Sequence, residues 1–174
     1  MADVPLSRNQ ILRLLDALAD ELPDGPQHEI VVAGGSVLAL HGLRATTLDV
    51  DCVRTLDTEL QAAAFRVAQA YDLADDWLNS RAAPYLPQTW ERADCEVLLD
   101  RPALRVLGLA LGDIFLMKLH AARRVGIDDL KRLWPRCSFA SPSDAIDRFY
   151  AAYPNESFDE HLESWIQSAI VGAK

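Results

Sequence analysis

The fold of this 174-residue chain is decided by residues 30–53, which read IVVAGGSVLALHGLRATTLDVDCV. Residues 30–33 form a short apolar run rich in β-branched side chains, which is typical of a buried strand. Two glycines follow, and residues 36–41 then have the composition of a helix. Polar and apolar residues alternate over residues 48–53, which predicts a second strand. The stretch therefore indicates a strand, a tight turn, a helix and a second strand.

Two acidic residues share one face of the second predicted strand. Because side chains alternate along a strand, Asp49 and Asp51 point to one side, and Val50 and Cys52 point to the other. Neighbouring carboxylates repel each other unless a cation lies between them. Ligands that are all oxygen favour Mg²⁺ or Mn²⁺. The pattern therefore predicts a divalent-metal site.

The glycine turn has the features of a phosphate site. Gly34 and Gly35 allow the backbone to approach a ligand closely because neither carries a side chain. Ser36 is predicted to be the N-cap of the helix, and the free N–H groups of a helix start bind phosphate. A phosphate site beside a two-carboxylate metal site is what phosphoryl or nucleotidyl transfer requires.

The motif GGS at residues 34–36, followed after twelve residues by DVD at residues 49–51, resembles the nucleotidyltransferase superfamily pattern. Together with Arg44 and Thr47, it is similar to small bacterial nucleotidyltransferase-like proteins of unknown function, which are relatives of AbiEii-type toxins. The resemblance implies an α/β fold: a small mixed sheet flanked by helices, with a helical C-terminal segment. We expect one domain over residues 1–174, with its core at about 29–134 and a helical part at 135–174.

The resemblance also implies a metal-dependent enzyme that moves an NMP from an NTP to an acceptor hydroxyl and releases pyrophosphate. It assigns two Mg²⁺ ions to Asp49 and Asp51. Donor-binding roles fall on the turn and the segment after it: Gly34, Gly35, Ser36, Arg44 and Thr47. For Arg44 and Thr47 two roles stay open, since either residue positions the loop or contacts phosphate.

Enzymes of this superfamily usually carry a third carboxylate on a strand beside the Asp-x-Asp strand. A strand is predicted over residues 94–99, with Asp94 and Glu96 on the same face. Glu96 matches the pattern better, as a third metal ligand and general base, and Asp94 is the alternative. An exposed edge strand with solvated acids is the other interpretation of this segment.

A lysine stands on the apolar face of the helix predicted after residue 111. The neighbours of Lys118 one turn away include Ile114, Phe115 and Ala121. Because lysine is rarely buried without a partner, we expect its ammonium to reach a donor phosphate or an active-site carboxylate. The alternative is a stem that crosses the core edge and ends in solvent.

The charge of the chain is uneven. The net charge is −9, which disfavours non-specific binding of nucleic acid. Residues 101–136, however, contain eight basic and three acidic residues, a net charge of +5 that suits nucleotide or RNA phosphates. Within them Arg123, Arg124 and Asp129 indicate either a phosphate-facing patch or ordinary ion pairs along a helix.

The other segments of the chain are predicted to form packing elements around the site. Trp77-Leu78-Asn79, a segment that also recurs in the family, is expected to have a structural role, with Trp77 packed in the core. The proline-rich residues 84–87 that follow are predicted to form a loop or short helix. A further apolar strand is expected at residues 104–109. Amphipathic helices are predicted at residues 6–22 with Ser7 as cap, and at residues 57–73, 143–153 and 158–171.

The totals favour a soluble protein of a reducing cytoplasm with no membrane span, because no long apolar run occurs and three scattered cysteines form no CxxC motif. Two other classes stay open. One is an inactive relative that binds nucleotide without transfer. The other is an interaction protein whose helices bind an antitoxin or a second copy. For an enzyme, the acceptor is tRNA, a protein or a small molecule such as an antibiotic.

Overall fold

The computed structural model describes residues 4–121 and 127–172. This part of the chain is a mixed α/β structure, as predicted. Its strands and α-helices follow in this order: β1 (Leu6–Ser7), α1 (Arg8–Glu21), β2 (His28–Ala33), α2 (Gly34–Leu40), β3 (Thr46–Thr47), β4 (Val50–Cys52), α3 (Thr58–Tyr71), β5 (Leu78–Asn79), β6 (Glu96–Asp100), β7 (Leu104–Gly108), α4 (Leu111–Ala121), α5 (Ile127–Leu133), α6 (Pro142–Ala152) and α7 (Leu162–Trp165). One π-helical segment, Ile166–Val171, continues α7. No helix of the described residues is long and apolar enough to cross a membrane.

The chain groups into two compact units. The first unit contains Met1–Pro84 and Cys95–Leu109, and the second contains Tyr85–Asp94 and Ala110–Lys174. The division falls at different positions from the boundary expected near residue 134. That the chain forms one domain stays a prediction.

The first unit is built on a five-stranded mixed sheet with the strand order β5-β4-β2-β7-β6. The central strand β2 runs antiparallel to β4 and parallel to β7. The edge strand β5 is parallel to β4, and the opposite edge strand β6 is antiparallel to β7. Because β2 is central, its last four residues are all buried, which explains the continuous apolar run in the sequence.

Two helices of the first unit, α1 and α3, begin where the sequence offers side-chain caps. Both the N–H and the hydroxyl of Ser7 donate to Gln10 Oε1, at 2.9 and 2.7 Å, at the start of α1. At the start of α3, the Leu60 N–H donates to Asp57 Oδ1 at 2.8 Å. Such caps satisfy N–H groups that have no partner within the helix. The predictions of both helices and of the Ser7 cap are confirmed.

The second unit is helical. Phe115 of α4 and Phe149 of α6 are fully buried in it. Phe115 packs against Trp134 and Phe139 with ring centroids 5.6 and 5.2 Å apart. Helix α6 starts at a Ser141 cap, whose Oγ accepts from the Asp144 N–H at 3.1 Å. The predicted closing helices are confirmed, although the last is a short α-helix followed by a π-helical segment.

Two local predictions are corrected by the structure. Helix α2 begins at Gly34 with Ala33 as its N-cap, so the prediction of a Ser36 cap is wrong. Asp94 ends a 3₁₀ turn and does not lie on a strand, which begins only at Glu96. Leu78–Asn79, for which no element was predicted, form β5, and the short helix predicted in the proline-rich run is present as a 3₁₀ turn at Ala83–Tyr85. Both errors concern short elements, whose type depends on partners distant in sequence.

Candidate functional site

The carboxylate of Asp51 lies directly over the glycine turn. Asp51 is paired with Ala33 across the β2–β4 ladder, one residue before Gly34. Gly34 has a positive φ of 66°, and a Cβ placed on it would lie 2.9 Å from Asp51 Oδ2. Only glycine adopts this backbone readily and leaves room for the carboxylate. The glycine and the aspartate are therefore two parts of one local structure.

The second glycine is enclosed by the segment that links α2 to β4. A Cβ on Gly35 would lie 2.6 Å from Thr47 Oγ1 and 3.1 Å from Arg44 Nη1. Thr47 is held there because β3 pairs with β1, with Leu6 opposite Thr47. The structure thus brings Arg44 and Thr47 to the glycine turn. Whether either residue contacts phosphate stays a prediction.

Ser36 has a different environment from the one expected. Its side chain is fully buried, and its hydroxyl donates to the Ala33 carbonyl oxygen at 2.8 Å. Because this bond closes the first turn of α2, the hydroxyl is engaged inside the protein. Gly34 is half-buried and Gly35 is buried, so of the features assigned to this turn the backbone of Gly34 is the part that a ligand can approach most easily.

Asp49 precedes β4, and two residues of the next strand and its following turn contact it. The side-chain amide Nδ2 of Asn79 lies 3.3 Å from Asp49 Oδ2, and Arg81 Nη1 lies 3.5 Å from the same oxygen. Asn79 is the partner of Asp51 in the β4–β5 ladder, and paired residues share a face of the sheet. Asp49 and Asp51 are therefore on the same side, as predicted.

Asn79 is fixed by its surroundings. Its Oδ1 accepts from the Arg81 N–H at 2.8 Å, and its Nδ2 also lies 3.2 Å from the Asp76 carbonyl oxygen. Two residues earlier, Trp77 is buried and donates to the Ala64 carbonyl oxygen of α3 at 2.9 Å. The short strand β5 is thereby anchored to a helix. The sequence did not reveal Asn79 or Arg81 as site residues, because a two-residue strand has no periodicity to read.

The third predicted carboxylate is not brought to the other two. Glu96 begins the edge strand β6, which lies three strands from β4 in the sheet, about 14 Å at the usual strand spacing. The ladder row Glu96–Gly108–Val32–Cys52 points to the face opposite Asp51. The Glu96 carboxylate instead pairs with His41 Nε2 at 3.1 Å. The prediction that Glu96 completes the set is therefore corrected.

Lys118 has a carboxylate partner in the second unit. Its Nζ lies 2.8 Å from Asp129 Oδ2, and both side chains are largely buried, with 21 % and 13 % exposed. Arg132 Nη1 lies 4.0 Å from the other oxygen of Asp129. The ammonium thus pairs with a carboxylate of the second unit and does not end in solvent, and its predicted contact with a donor phosphate or an active-site carboxylate stays a prediction. Arg123 and Arg124 lie outside the described residues.

The second unit also contains an open pocket of about 490 Å³ with a mixed polar and apolar lining. Its lining includes Asp94, Asp113, Phe139 and Arg148. Burial, together with the nearby charge of Asp94, raises the pKa of Asp113 to about 6. Arg148 is held by Asp144 at 3.1 Å and lies over the Phe139 ring. Asp94, the alternative third carboxylate, therefore lines a pocket of the second unit.

The residues at the glycine turn fit a divalent cation bound together with phosphate. Within residues 4–121 and 127–172, no group of three or more histidine, cysteine or acidic side chains is arranged to hold a metal. Mg²⁺, however, is commonly bound through one or two carboxylates while substrate phosphates and water complete its coordination. Asp49 and Asp51 on one face, beside the half-buried backbone of Gly34, provide such a partial set.

Comparison with known families agrees with this geometry. A family model described as "Nucleotidyltransferase of unknown function (DUF6036)" matches residues 10–149, which include the glycine turn, both aspartates and Asn79. The chain therefore belongs to this nucleotidyltransferase family. No curated protein and no solved structure matches the chain.

Proposed function

We propose that the protein is a divalent-metal-dependent nucleotidyltransferase that moves an NMP from an NTP to an acceptor hydroxyl. The observation that carries the proposal is the position of the Asp51 carboxylate over the side-chain-free backbone of Gly34, with Asp49 on the same face. This arrangement provides oxygen ligands for Mg²⁺ or Mn²⁺ beside backbone that a triphosphate can approach.

In this proposal, the residues at the glycine turn have separate roles in metal binding and in phosphate binding. Asp49 and Asp51 would hold the metal, which when bound supplies positive charge to the phosphates and lowers the barrier to attack. Gly34 and Gly35 would accommodate the donor phosphates along the backbone. Arg44, whose guanidinium adjoins Gly35, would add a cation on that side.

The reaction itself is a substitution at phosphorus. The acceptor oxygen forms a bond to the α-phosphorus, the bond from that phosphorus to the bridging oxygen breaks, and pyrophosphate leaves. The proton of the acceptor hydroxyl passes to water or to a site carboxylate. Glu96 has no role in this proposal, because it lies on the other face at the far edge of the sheet.

The acceptor and the biological role rest on resemblance alone. Likeness to AbiEii-type proteins supports a toxin held by a cognate antitoxin, with tRNA or a protein as acceptor. A small-molecule acceptor is the alternative within the same chemistry. The basic segment gives limited support to RNA: Arg101 pairs with Asp16 and Asp20, and Lys118 pairs with Asp129.

One observation favours a second function, nucleotide binding without transfer. The position beside the two aspartates is held by the neutral Asn79, whereas related enzymes usually place a third carboxylate near the metal. With two carboxylates, less negative charge is available to retain a second cation on the acceptor side. The same site would then bind a metal–nucleotide complex as a sensor or as an inactive relative.

Metal binding and transfer are tested together. Mn²⁺ binding is measured by electron paramagnetic resonance, and transfer by incorporation of label from each α-³²P-NTP into protein or added tRNA. The Asp49→Asn/Asp51→Asn variant should lose both, whereas Asp24→Asn, which removes an exposed carboxylate of the same unit, should lose neither. Mn²⁺ binding that survives in the double variant would contradict the proposal. Metal-dependent nucleotide binding without any transfer or pyrophosphate release would support the second function.

A further inference from the structure

Arg81 is placed between two carboxylates at the edge of the candidate site. Its Nη1 lies 3.5 Å from Asp49 Oδ2, and its Nη2 bonds to Asp76 Oδ2. The backbone N–H of Arg81 donates to Asn79 Oδ1, so the start of this turn is fixed while the side chain extends outward. The guanidinium therefore has one close anchor, Asp76, and one looser contact, Asp49.

The looser contact is one that a ligand can replace. The side chain of Arg81 is 63 % exposed, and exposed ion pairs contribute little to stability. A separation of 3.5 Å is also longer than a usual charge-assisted hydrogen bond. A metal ion on Asp49 would compete directly with the guanidinium for the same oxygen. Asp76, in contrast, can keep the arginine at the site after that contact is lost.

The chemistry of arginine indicates what it binds next. The guanidinium is planar, permanently charged, and presents paired N–H groups that match two phosphate oxygens. We propose that Arg81 is a phosphate-binding residue for the NTP, and that it occupies the cation position at Asp49 until the metal binds. This inference rests on the proposed function, since it assigns a donor-binding role within the same site.

The proposal predicts opposite effects on two ligands. In Arg81→Gln, the affinity for Mn²⁺ alone should be unchanged or up to about threefold tighter, because a competing cation has been removed from Asp49. The affinity for NTP in the presence of Mn²⁺ should fall at least about tenfold, because a charge-assisted contact to phosphate is lost. If Arg81 had only a structural role, Arg81→Gln would lower the affinity for Mn²⁺ and the affinity for NTP together.

The experiment measures Mn²⁺ binding by electron paramagnetic resonance and binding of each of the four NTPs by equilibrium dialysis. Arg66→Gln is the matched control, because Arg66 is also an exposed, ion-paired arginine of the first unit, held by Glu21. Arg81→Lys should lose less NTP affinity than Arg81→Gln, since lysine keeps the positive charge although it lacks the paired N–H groups of the guanidinium. A circular dichroism melt of each variant confirms that it is folded.

The outcomes separate this inference from the function on which it rests. If Asp49→Asn/Asp51→Asn abolishes Mn²⁺ binding while Arg81→Gln binds NTP within twofold of wild type, the role of Arg81 is wrong and the metal site stands. Loss of Mn²⁺ affinity in Arg81→Gln also overturns it. If the wild-type protein binds no NTP, both proposals fail.

Discussion

At the scale of single residues, the sharpest structural requirement falls on Gly34. Its φ of 66° and the 2.9 Å approach of Asp51 Oδ2 to a Cβ at this position are two separate obstacles to any side chain. Gly42 has a similar φ of 70° but open space around its Cβ position. The two glycines therefore form a natural pair for separating backbone strain from crowding of the carboxylate.

Gly34→Ala should lower the free energy of unfolding by about 2 kcal/mol and abolish Mn²⁺ binding, because the methyl group displaces Asp51. Gly42→Ala should lower the free energy of unfolding by about 1 kcal/mol, because it strains the backbone without crowding a side chain. It should keep Mn²⁺ binding. Urea unfolding and electron paramagnetic resonance give the two readouts. Equal Mn²⁺ affinity in the two variants would show that the glycine turn and Asp51 do not act together.

A second prediction at this scale concerns Asp113, whose pKa is raised to about 6 by burial and by the charge of Asp94. The folded protein therefore binds this proton more tightly than the unfolded chain, whose carboxyl has an ordinary pKa of about 3.9. The stabilising contribution is fully present below about pH 4 and is lost as the pH rises through about 6.

Asp113→Asn should consequently be more stable than wild type at pH 7.5, by about 1 kcal/mol after allowing for partial exposure, and no more stable at pH 4. Asp144→Asn should show the opposite sign. The Ala140 N–H and the Arg148 guanidinium lower the pKa of Asp144, so its contribution is present at neutral pH. Urea unfolding at both pH values tests this, and parallel pH profiles of Asp113→Asn and wild type would contradict it.

At the scale of elements, the ion pair between Lys118 and Asp129 links α4 to α5. Lys118→Met should cost about 2 kcal/mol, because the mostly buried Asp129 carboxylate loses the ammonium that lies 2.8 Å from its Oδ2. Asp129→Leu should cost a similar amount, and the double variant should recover most of the loss. Thermal or urea unfolding of all four proteins gives the coupling energy, and strictly additive costs would contradict a coupled pair.

The same variants test the catalytic role predicted for Lys118 from the sequence. If the ammonium serves the donor phosphates, NTP affinity falls in Lys118→Met and stays low in the double variant, although its stability recovers. If the lysine serves only the α4–α5 contact, NTP affinity follows stability. Binding and unfolding measurements together distinguish the two roles.

The secondary-structure elements also show which features of the fold and of the site could be predicted from the sequence. The strand, glycine turn, helix and second strand around Gly34 are predicted correctly, because their signals are local periodicity and residue type. The aspartates share a face for the same reason. Glu96 was misplaced because strand order is not local: β7 lies between β6 and the central strand. Asn79 and Arg81 were missed because β5 is two residues long, and its anchor is the Trp77 contact with Ala64.

At the scale of the whole molecule, ion pairs offset part of the positive charge of the basic segment in the part of the chain that the structure describes. Arg101, Arg105 and Lys118 of the basic segment each have carboxylate partners: Asp16 and Asp20, Asp100, and Asp129. Such pairs lower the positive potential that a phosphate backbone would meet. Selective recognition of a nucleotide at the glycine turn is therefore better supported than general affinity for RNA.

The central claim is that Asp49, Asp51 and the glycine turn bind a metal–NTP complex. The most direct measurement is the melting temperature of the protein with each of the four NTPs, with and without Mg²⁺, for wild type and Asp49→Ala/Asp51→Ala. Ligands that bind only the folded state raise the melting temperature. The account predicts a Mg²⁺-dependent rise with at least one NTP in wild type and none in the variant. No rise with any NTP, or an equal rise in both proteins, would contradict it.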